Sequence, residues 1–181
     1  FKSIVDLDTK GDPIHSSFKS AAICGLARLC VKCPSLFAPF AEDFATFIVN
    51  NVTETVSMLS SQAENEYIID SLLVTHCINA YWYIVENLQE AADSSIEQMV
   101  EMLIQICQIP NEQLTSKMNV PGSNDSLSIH DISLRILCGC AAKYPPILQS
   151  TIGQLLEFIN ENPSYHAAVG ANWISSAITS L

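Results

Sequence analysis

The segment with the clearest chemical potential is Cys30-Val-Lys-Cys33-Pro34, a C-x-x-C-P string. In dithiol redox enzymes, two cysteines at this spacing lie at the N-terminus of a helix that follows a strand. The helix dipole and the exposed amides there lower the pKa of the attacking thiol. Here the apolar pattern before the string predicts that Cys30 and Cys33 occupy the last turn of a helix, where the dipole disfavours a thiolate. The pattern therefore argues against redox catalysis at this pair.

A zinc site is the second chemistry that the cysteines suggest. Cys30 and Cys33 would have to join Cys138 and Cys140, with four ligands converging at about 2.3 Å, and C-x-C is not the spacing of a zinc knuckle. Six of the seven cysteines fall within apolar helical patterns: Cys24, Cys30, Cys77, Cys107, Cys138 and Cys140. Buried free thiols of this kind are typical of a reducing compartment. We expect no metal, no cofactor and an intracellular protein, nuclear or cytoplasmic.

The four histidines are dispersed along the chain and do not form a catalytic constellation: His15, His76, His130 and His166. His130-Asp131, near a predicted helix start, favours helix capping or a solvent-facing pair over acid–base chemistry. No serine elbow or glycine-rich phosphate loop accompanies that pair. We therefore expect no catalytic residue, no small-molecule substrate and a non-enzymatic protein.

The charge balance restricts the class of partner. Nineteen acidic residues against eight basic ones give a net charge of −11, and Lys and Arg do not cluster in any window. Binding to a phosphate backbone requires cations that neutralise the phosphates, so direct nucleic-acid binding is disfavoured. A protein partner with a basic segment fits the charge better. Since no apolar run reaches the ~18 residues of a membrane span, we expect no membrane partner.

An aromatic triplet, Tyr81-Trp82-Tyr83, falls within a predicted helix. Three consecutive positions point in three directions around a helix, so at least one ring should face away from the core. The usual role of such rings is to pack against a neighbouring helix. The alternative is a docking surface, because exposed aromatics dominate the binding energy of peptide grooves. Acidic residues follow directly along the chain: Glu86, Glu90, Asp93, Glu97 and Glu101. The partner-binding surface that we predict for a basic linear segment comprises Tyr81, Trp82, Glu86, Glu90, Asp93 and Glu97.

The elements that must position these residues are helices. Apolar residues recur at spacings of three and four along most of the chain, and no segment alternates as a strand does. The predicted helices cover 14–33, 36–59, 66–90, 95–109, 129–144, 147–160 and 164–180. Residues 110–128, which contain Pro110, Pro121 and Gly122, predict a long loop between helical pairs. The fold class that follows is all-α.

An internal repeat appears when Pro34 is aligned with Pro145. In that register Lys32 matches Lys143 and Phe47 matches Phe158, whereas the thiol pair does not recur. The shared unit is a helix, a turn proline and a second amphipathic helix, as in the hairpins of HEAT and armadillo solenoids, which repeat at about 40 residues. We therefore expect an α-α superhelix of irregular HEAT/armadillo-like hairpins. Its parts would be hairpins at 14–60, 66–109 and 129–161 and a last helix at 164–180.

The composition favours one solenoid segment over 1–181. Hydrophobic residues make up 49% of the chain and charged residues 15%, so extensive apolar surface must be buried or passed to neighbours. A single hairpin cannot bury its own apolar face, and stacking is what covers it. The chain begins at Phe1 and ends while still apolar and periodic. We expect a fragment of a longer protein.

Two blocks resemble a known family. The run Pro34-Ser-Leu-Phe37-Ala38, followed by Thr46-Phe47-Ile48-Val49, is similar to a block in the cohesin-associated HEAT proteins named for precocious dissociation of sisters. The order Asp131-Ile-Ser133-Leu-Arg135-Ile, Gly139 and Ile159-Asn160 also resembles motifs of that family. This chain has Asn50-Asn51 where the family usually has a basic residue.

The resemblance implies a nuclear scaffold that grips a kleisin subunit and regulates sister chromatid cohesion. The acidic charge is equally similar to that of importin-β-like transport receptors, which are also HEAT solenoids. That second resemblance implies binding of basic cargo signals and of a small GTPase. Under either resemblance, the expected function is that of a HEAT-repeat scaffold that mediates protein–protein interaction.

Overall fold

The computed structural model describes residues 13–61, 71–109 and 129–146, together with Gly153. Within these ranges the protein is all-α, as the sequence predicts, and contains no strand. The described ranges contain five α-helices with assigned bounds: α1 (Pro13–Lys32), α2 (Pro34–Ser61), α3 (Ser71–Asn87), α4 (Ile96–Gln108) and α5 (Ile129–Lys143). A short 3-10 helix, Gln89–Ala92, lies between α3 and α4.

The helix bounds agree with the apolar spacing to within a few residues, except that the predicted start of α3, residues 66–70, lies outside the described residues. α1 and α2 both begin at a proline, whose fixed φ and missing N–H suit the first helical position. Ser95 directly precedes α4, and its side chain makes no capping hydrogen bond. The predicted loop 110–128 and the predicted helix 164–180 lie outside the described residues, as does almost all of the predicted helix 147–160.

A one-residue turn joins α1 to α2. The Cys33 amide donates to the Leu29 carbonyl at 2.8 Å, and the Cys33 carbonyl accepts from the amides of Leu36 and Phe37, each at 3.1 Å. Tyr144 follows α5 in the same way: its amide donates to the Cys140 carbonyl at 2.9 Å, and helix resumes at residue 145. In the register that aligns Pro34 with Pro145, Cys33 corresponds to Tyr144 and Leu29 to Cys140.

The helices pack in two layers. α3 contacts both α1 and α5, whereas α4 contacts α2. The layers meet because α2 also packs on α1 and α3, and α4 also packs on α5. One layer therefore holds α1, α3 and α5, and the other holds α2 and α4.

Apolar side chains from all five helices fill the space between the layers. The largest fully buried ones include Phe44 of α2, Ile78 of α3, Leu103 of α4 and Leu134 of α5. Burying each such side chain stabilises the fold by about 1.5–3 kcal/mol. α4 shows the pattern most clearly, because Met99, Leu103 and Ile106 face the core at helical spacing. Because the core holds α4 in place, it also fixes the position of the turn that precedes α4.

Polar contacts add to the packing of α1. The Ser20 hydroxyl hydrogen-bonds with Nδ1 of His76 on α3. Lys19 is buried, and its Nζ lies 5.6 Å from the centroid of the Phe47 ring on α2. A buried ammonium gains from a ring face because the quadrupole of the ring attracts a cation. These contacts hold α1 against α3 in its own layer and against α2 in the other.

Candidate functional site: the acidic turn between α3 and α4

The three rings of the aromatic triplet have different surroundings. Tyr81 is fully buried, Trp82 is half-buried and Tyr83 is 38% exposed. A partner on the surface cannot reach Tyr81, so its assignment to the partner-binding surface is corrected. The physical reason is its position on the side of α3 that faces the core, among Ile78, Ile84 and Val85. Tyr83 is the ring of this triplet that faces outward.

The buried Tyr81 hydroxyl organises the turn. It donates to the Ala92 carbonyl at 3.3 Å and lies 3.0 Å from Oγ of Ser95. The Ser95 hydroxyl is also 3.3 Å from the Ala92 carbonyl, which explains why it does not cap α4. Burial raises the pKa of Tyr81 well above its ordinary value, so the hydroxyl keeps its proton. Tyr81 therefore ties α3 to the 3-10 helix and to the start of α4.

Trp82 packs on α5 at a glycine. A Cβ added to Gly139 would lie 2.6 Å from Cη2 and 2.7 Å from Cζ3 of Trp82. The indole therefore fills the space that a side chain at Gly139 would need, which is the tight packing typical of a glycine within a helix. Much of the Trp82 ring is thus engaged within the protein, and its remaining edge faces solvent.

The four predicted carboxylates are all exposed: Glu86, Glu90, Asp93 and Glu97. They follow the chain from the last turn of α3, through the 3-10 helix, to the first turn of α4. A fifth carboxylate joins them from α2, because the Ser94 hydroxyl donates to Oε1 of Glu42 at 3.3 Å. Glu42 has no local sequence signal, since 52 residues separate it from Ser94. We call these five residues the acidic turn.

The end of α5 closes one side of the acidic turn. The Tyr144 hydroxyl lies 3.1 Å from the Gln89 carbonyl and 3.0 Å from Oδ1 of Asp93, and it donates to these oxygens. Gln89 Nε2 lies 3.5 Å from the Lys143 carbonyl. Burial, together with the hydrogen bond to Asp93, raises the pKa of Tyr144. Asp93 therefore contributes to the packing of α5 as well as to the surface charge.

The C-x-x-C pair is split between interior and surface. Cys30 is buried with its Sγ 3.6 Å from the Tyr83 carbonyl, whereas Cys33 is exposed and both are free thiols. Burial raises the pKa of Cys30. Cys33 was predicted within the last turn of α1; instead it lies just beyond α1 and directly precedes α2. The helix ends one residue earlier than the apolar pattern indicates, because Pro34 starts a new helix.

The described residues offer no ready metal centre. Among them, no group of three or more His, Cys, Asp and Glu side chains is arranged to hold a metal ion. Burial raises the pKa of Cys138 to about 11 and that of Cys140 to about 12. These two thiols are therefore protonated near neutral pH.

A second surface, which sequence reasoning missed, lies where α1 meets α2. A cavity of about 350 Å³ is lined by Leu26, Leu29, Cys33, Leu36, Phe37 and Phe40. The sequence signal for this surface lies in α2. Its apolar residues cover a wider part of the helix surface than contact with the core requires. Leu36 and Phe40 are 77% and 52% exposed, while Phe37 and Phe44 on the same helix are buried.

None of the helices in the described ranges combines the length and apolar character that crossing a membrane requires. Comparison of the chain with family models, with curated proteins and with solved structures gave no match. The resemblances noted in the sequence therefore remain proposals, and the site is interpreted from its own geometry.

Proposed function

We propose that this protein is a non-enzymatic helical-repeat scaffold of the HEAT type that binds other proteins. The observation that carries the proposal is the recurrence of one turn within a two-layer stack. Cys33 and Tyr144 are both single non-helical residues that end a helix and directly precede a proline at which helix resumes. A repeated hairpin that packs side by side is the building principle of α-solenoids, which work by presenting long surfaces.

The acidic turn is the proposed binding surface, with Tyr83 and the outer edge of Trp82 beside it. Five carboxylates at one turn create a negative potential that attracts cations and steers basic partners. Lys143, at the end of α5, borders the acidic turn through its backbone, because its carbonyl lies 3.5 Å from Nε2 of Gln89. A basic linear segment suits this surface, because its lysines and arginines find several acceptors in one place.

A charge-reversal experiment tests the acidic turn. The variant Glu86→Lys, Glu90→Lys, Glu97→Lys changes three exposed side chains and should leave the fold intact. Its affinity for a fluorescent Lys/Arg-rich peptide, measured by anisotropy at physiological salt, should fall at least tenfold. Glu54→Lys is the single-site control, because Glu54 is an exposed carboxylate on α2 outside the turn. An unchanged affinity in the triple variant would exclude the acidic turn as the binding surface.

Two alternative functions of the scaffold are each favoured by a different observation. The blocks around Pro34 and Asp131 favour a cohesin regulator that acts in sister chromatid cohesion. The net charge of −11 favours a nuclear transport receptor of the importin-β kind. Both place the protein in the nucleus or cytoplasm. A pull-down from nuclear extract that compares the kleisin subunit with the transport GTPase separates them, because recovery of the GTPase alone would exclude the cohesin version.

A further inference from the structure

The Tyr144 hydroxyl contacts both ends of the 3-10 helix that runs through the acidic turn. Tyr144 is the single non-helical residue after α5, and Pro145 directly follows it. Its hydroxyl lies 3.1 Å from the carbonyl of Gln89, where the 3-10 helix begins, and 3.0 Å from Oδ1 of Asp93, directly after the 3-10 helix ends. A residue 51 positions beyond Asp93 therefore holds both ends of this short element.

The 3-10 helix has little backbone support of its own. Helices of this type have poorer hydrogen-bond geometry than α-helices and occur in short pieces. Here the Asp93 amide lies 3.4 Å from the Glu90 carbonyl, and the N-cap residue Leu88 makes no side-chain capping hydrogen bond. Side chains of other elements hold the segment: Tyr81 from α3, and Tyr144 from the end of α5. The position of the 3-10 helix therefore depends on tertiary contacts.

These contacts set the spacing of the carboxylates. Glu90 lies within the 3-10 helix, between Glu86 at the end of α3 and Glu97 in the first turn of α4. Asp93 accepts from the Tyr144 hydroxyl with one of its carboxylate oxygens. A movement of the 3-10 helix would change the distance of Glu90 from the other carboxylates. The arrangement of charges on a surface fixes the register of an oppositely charged partner, so a held turn favours one spacing of cations.

We infer that Tyr144 is a positioning residue of the acidic turn, and that binding of a basic segment there is coupled to the docking of the C-terminal end of α5. This inference rests on the proposed function of the acidic turn. Coupling between two binding events is reciprocal, so a bound basic segment stabilises the docked α5 as much as the docked α5 stabilises the bound segment. A partner at the turn between α3 and α4 thus regulates how firmly the following helix packs.

A buried thiol in α5 reports whether the end of that helix is docked. Cys140 is fully buried, and its carbonyl accepts from the Tyr144 amide. A buried thiol reacts with N-ethylmaleimide only when its surroundings open. Cys77 on α3 is also buried, at 1% exposure, and distinguishes local opening from global unfolding, because global unfolding exposes both thiols. Mass analysis of proteolytic peptides assigns the label to each cysteine.

Loss of the Tyr144 hydroxyl should open the end of α5 alone. Tyr144→Phe should raise the labelling rate of Cys140 about fivefold, the size expected for one lost hydrogen bond, and leave that of Cys77 unchanged. Tyr83→Phe removes the same group from an exposed ring of α3 and should change neither rate. Asp93→Asn keeps an acceptor oxygen and should retain the slow labelling. Equal Cys140 rates in the Tyr144 and Tyr83 variants would overturn the inference.

A basic peptide tests the coupling itself. A saturating Lys/Arg-rich peptide should slow the labelling of Cys140 in the unmodified protein about fivefold or more, but not that of Cys77. A Tyr144 that served stability alone would give no such protection. Unchanged labelling of Cys140 with the peptide bound would overturn the inference, even where charge reversal of the acidic turn abolishes binding and so supports the proposed function. If the charge-reversal variant instead binds the peptide normally, the proposed function fails and the coupling fails with it.

Discussion

At the scale of single residues, burial decides what each chemical group can do. The cysteines at 138 and 140 are buried in α5, which removes their thiols from water and disfavours the thiolate. Cys33, by contrast, is exposed and lines the cavity between α1 and α2. The same residue type is thus a core side chain at two positions and a surface group at a third.

The buried thiols predict an alkaline loss of stability. Cys140 has a folded-state pKa of about 12 against an ordinary value of 9.0, so between these values the unfolded chain releases the proton and the folded chain keeps it. The contribution of Cys140 to the free energy of unfolding should therefore be constant well below pH 9 and fall above it. Each such group contributes a slope of up to about 1.4 kcal/mol per pH unit.

Urea unfolding between pH 8 and 11 measures this slope. Cys140→Ala should reduce the slope above pH 9, because the alanine has no proton to lose. Cys33→Ser, which removes a thiol at the surface, should retain the slope of the unmodified protein. An identical slope in Cys140→Ala would contradict the role assigned to burial.

At the scale of elements, Tyr81 and Trp82 help to hold α3 to its neighbours. Tyr81 binds the turn that leads into α4, and Trp82 packs against Gly139 on α5. Both residues belong to the triplet that the sequence suggested for partner binding. Their surroundings show that two of the three rings pack within the protein, so Tyr83 is the ring that remains at the surface.

The Tyr81 hydroxyl should contribute to stability in a way that Tyr83 does not. Tyr81→Phe removes the hydrogen bond to the Ala92 carbonyl and the contact with Ser95, both of which are buried. Losing a buried hydrogen bond costs about 1 kcal/mol, and more when a partner is left without one. Equilibrium unfolding should show this loss, whereas Tyr83→Phe at the exposed ring should change the free energy of unfolding little. Equal effects of Tyr81→Phe and Tyr83→Phe would contradict the role of the Tyr81 hydroxyl in holding α3 to the turn before α4.

Gly139 should be intolerant of alanine. Although alanine favours a helix by up to about 1 kcal/mol over glycine, overpacking a core costs about 1–3 kcal/mol. Because the added Cβ would lie 2.6 Å from the Trp82 ring, we expect a net loss of stability in Gly139→Ala. Adding Trp82→Leu should make the combined loss smaller than the sum of the two single losses.

Gly25 provides the control for that experiment. It lies in α1, and an added Cβ would meet nothing within 4 Å. Gly25→Ala should therefore stabilise the protein by up to about 1 kcal/mol through helix propensity alone. Thermal unfolding of the two alanine variants should move in opposite directions; a stabilised Gly139→Ala would show that Trp82 gives way.

At the scale of the whole molecule, the two-layer packing favours growth in one direction. α3 is covered by α1 and α5, and α2 and α4 lie across them. In the proposed solenoid, each added hairpin would cover the apolar flank of the one before. The recurring turn at Cys33 and Tyr144 supports the same interpretation.

The proposed solenoid should be elongated in solution. A compact domain of 181 residues has a radius of gyration of about 16 Å. We expect small-angle scattering to give a larger radius and the profile of a curved rod. A radius near 16 Å with a spherical profile would instead indicate a closed helical bundle and would contradict the proposed architecture.

The sequence by itself determined the helices and one of their turns. Apolar spacing and the prolines are local signals, so the bounds of α1 to α5 follow from them closely. The alignment of Pro34 with Pro145 also anticipated the equivalent turns at Cys33 and Tyr144. These features depend on residues within one or two helical turns, which is the range that a sequence pattern describes.

Tertiary structure alone decided which faces are covered. Tyr81 and Tyr83 are chemically identical and two residues apart, yet one is buried and the other exposed because the packing of α3 leaves one side open. Glu42 reaches the acidic turn through a contact across 52 residues. The cavity where α1 meets α2 exists because each helix exposes an apolar flank beside the other. Such features depend on which helices, distant in sequence, pack together. The local spacing of apolar residues does not specify those contacts.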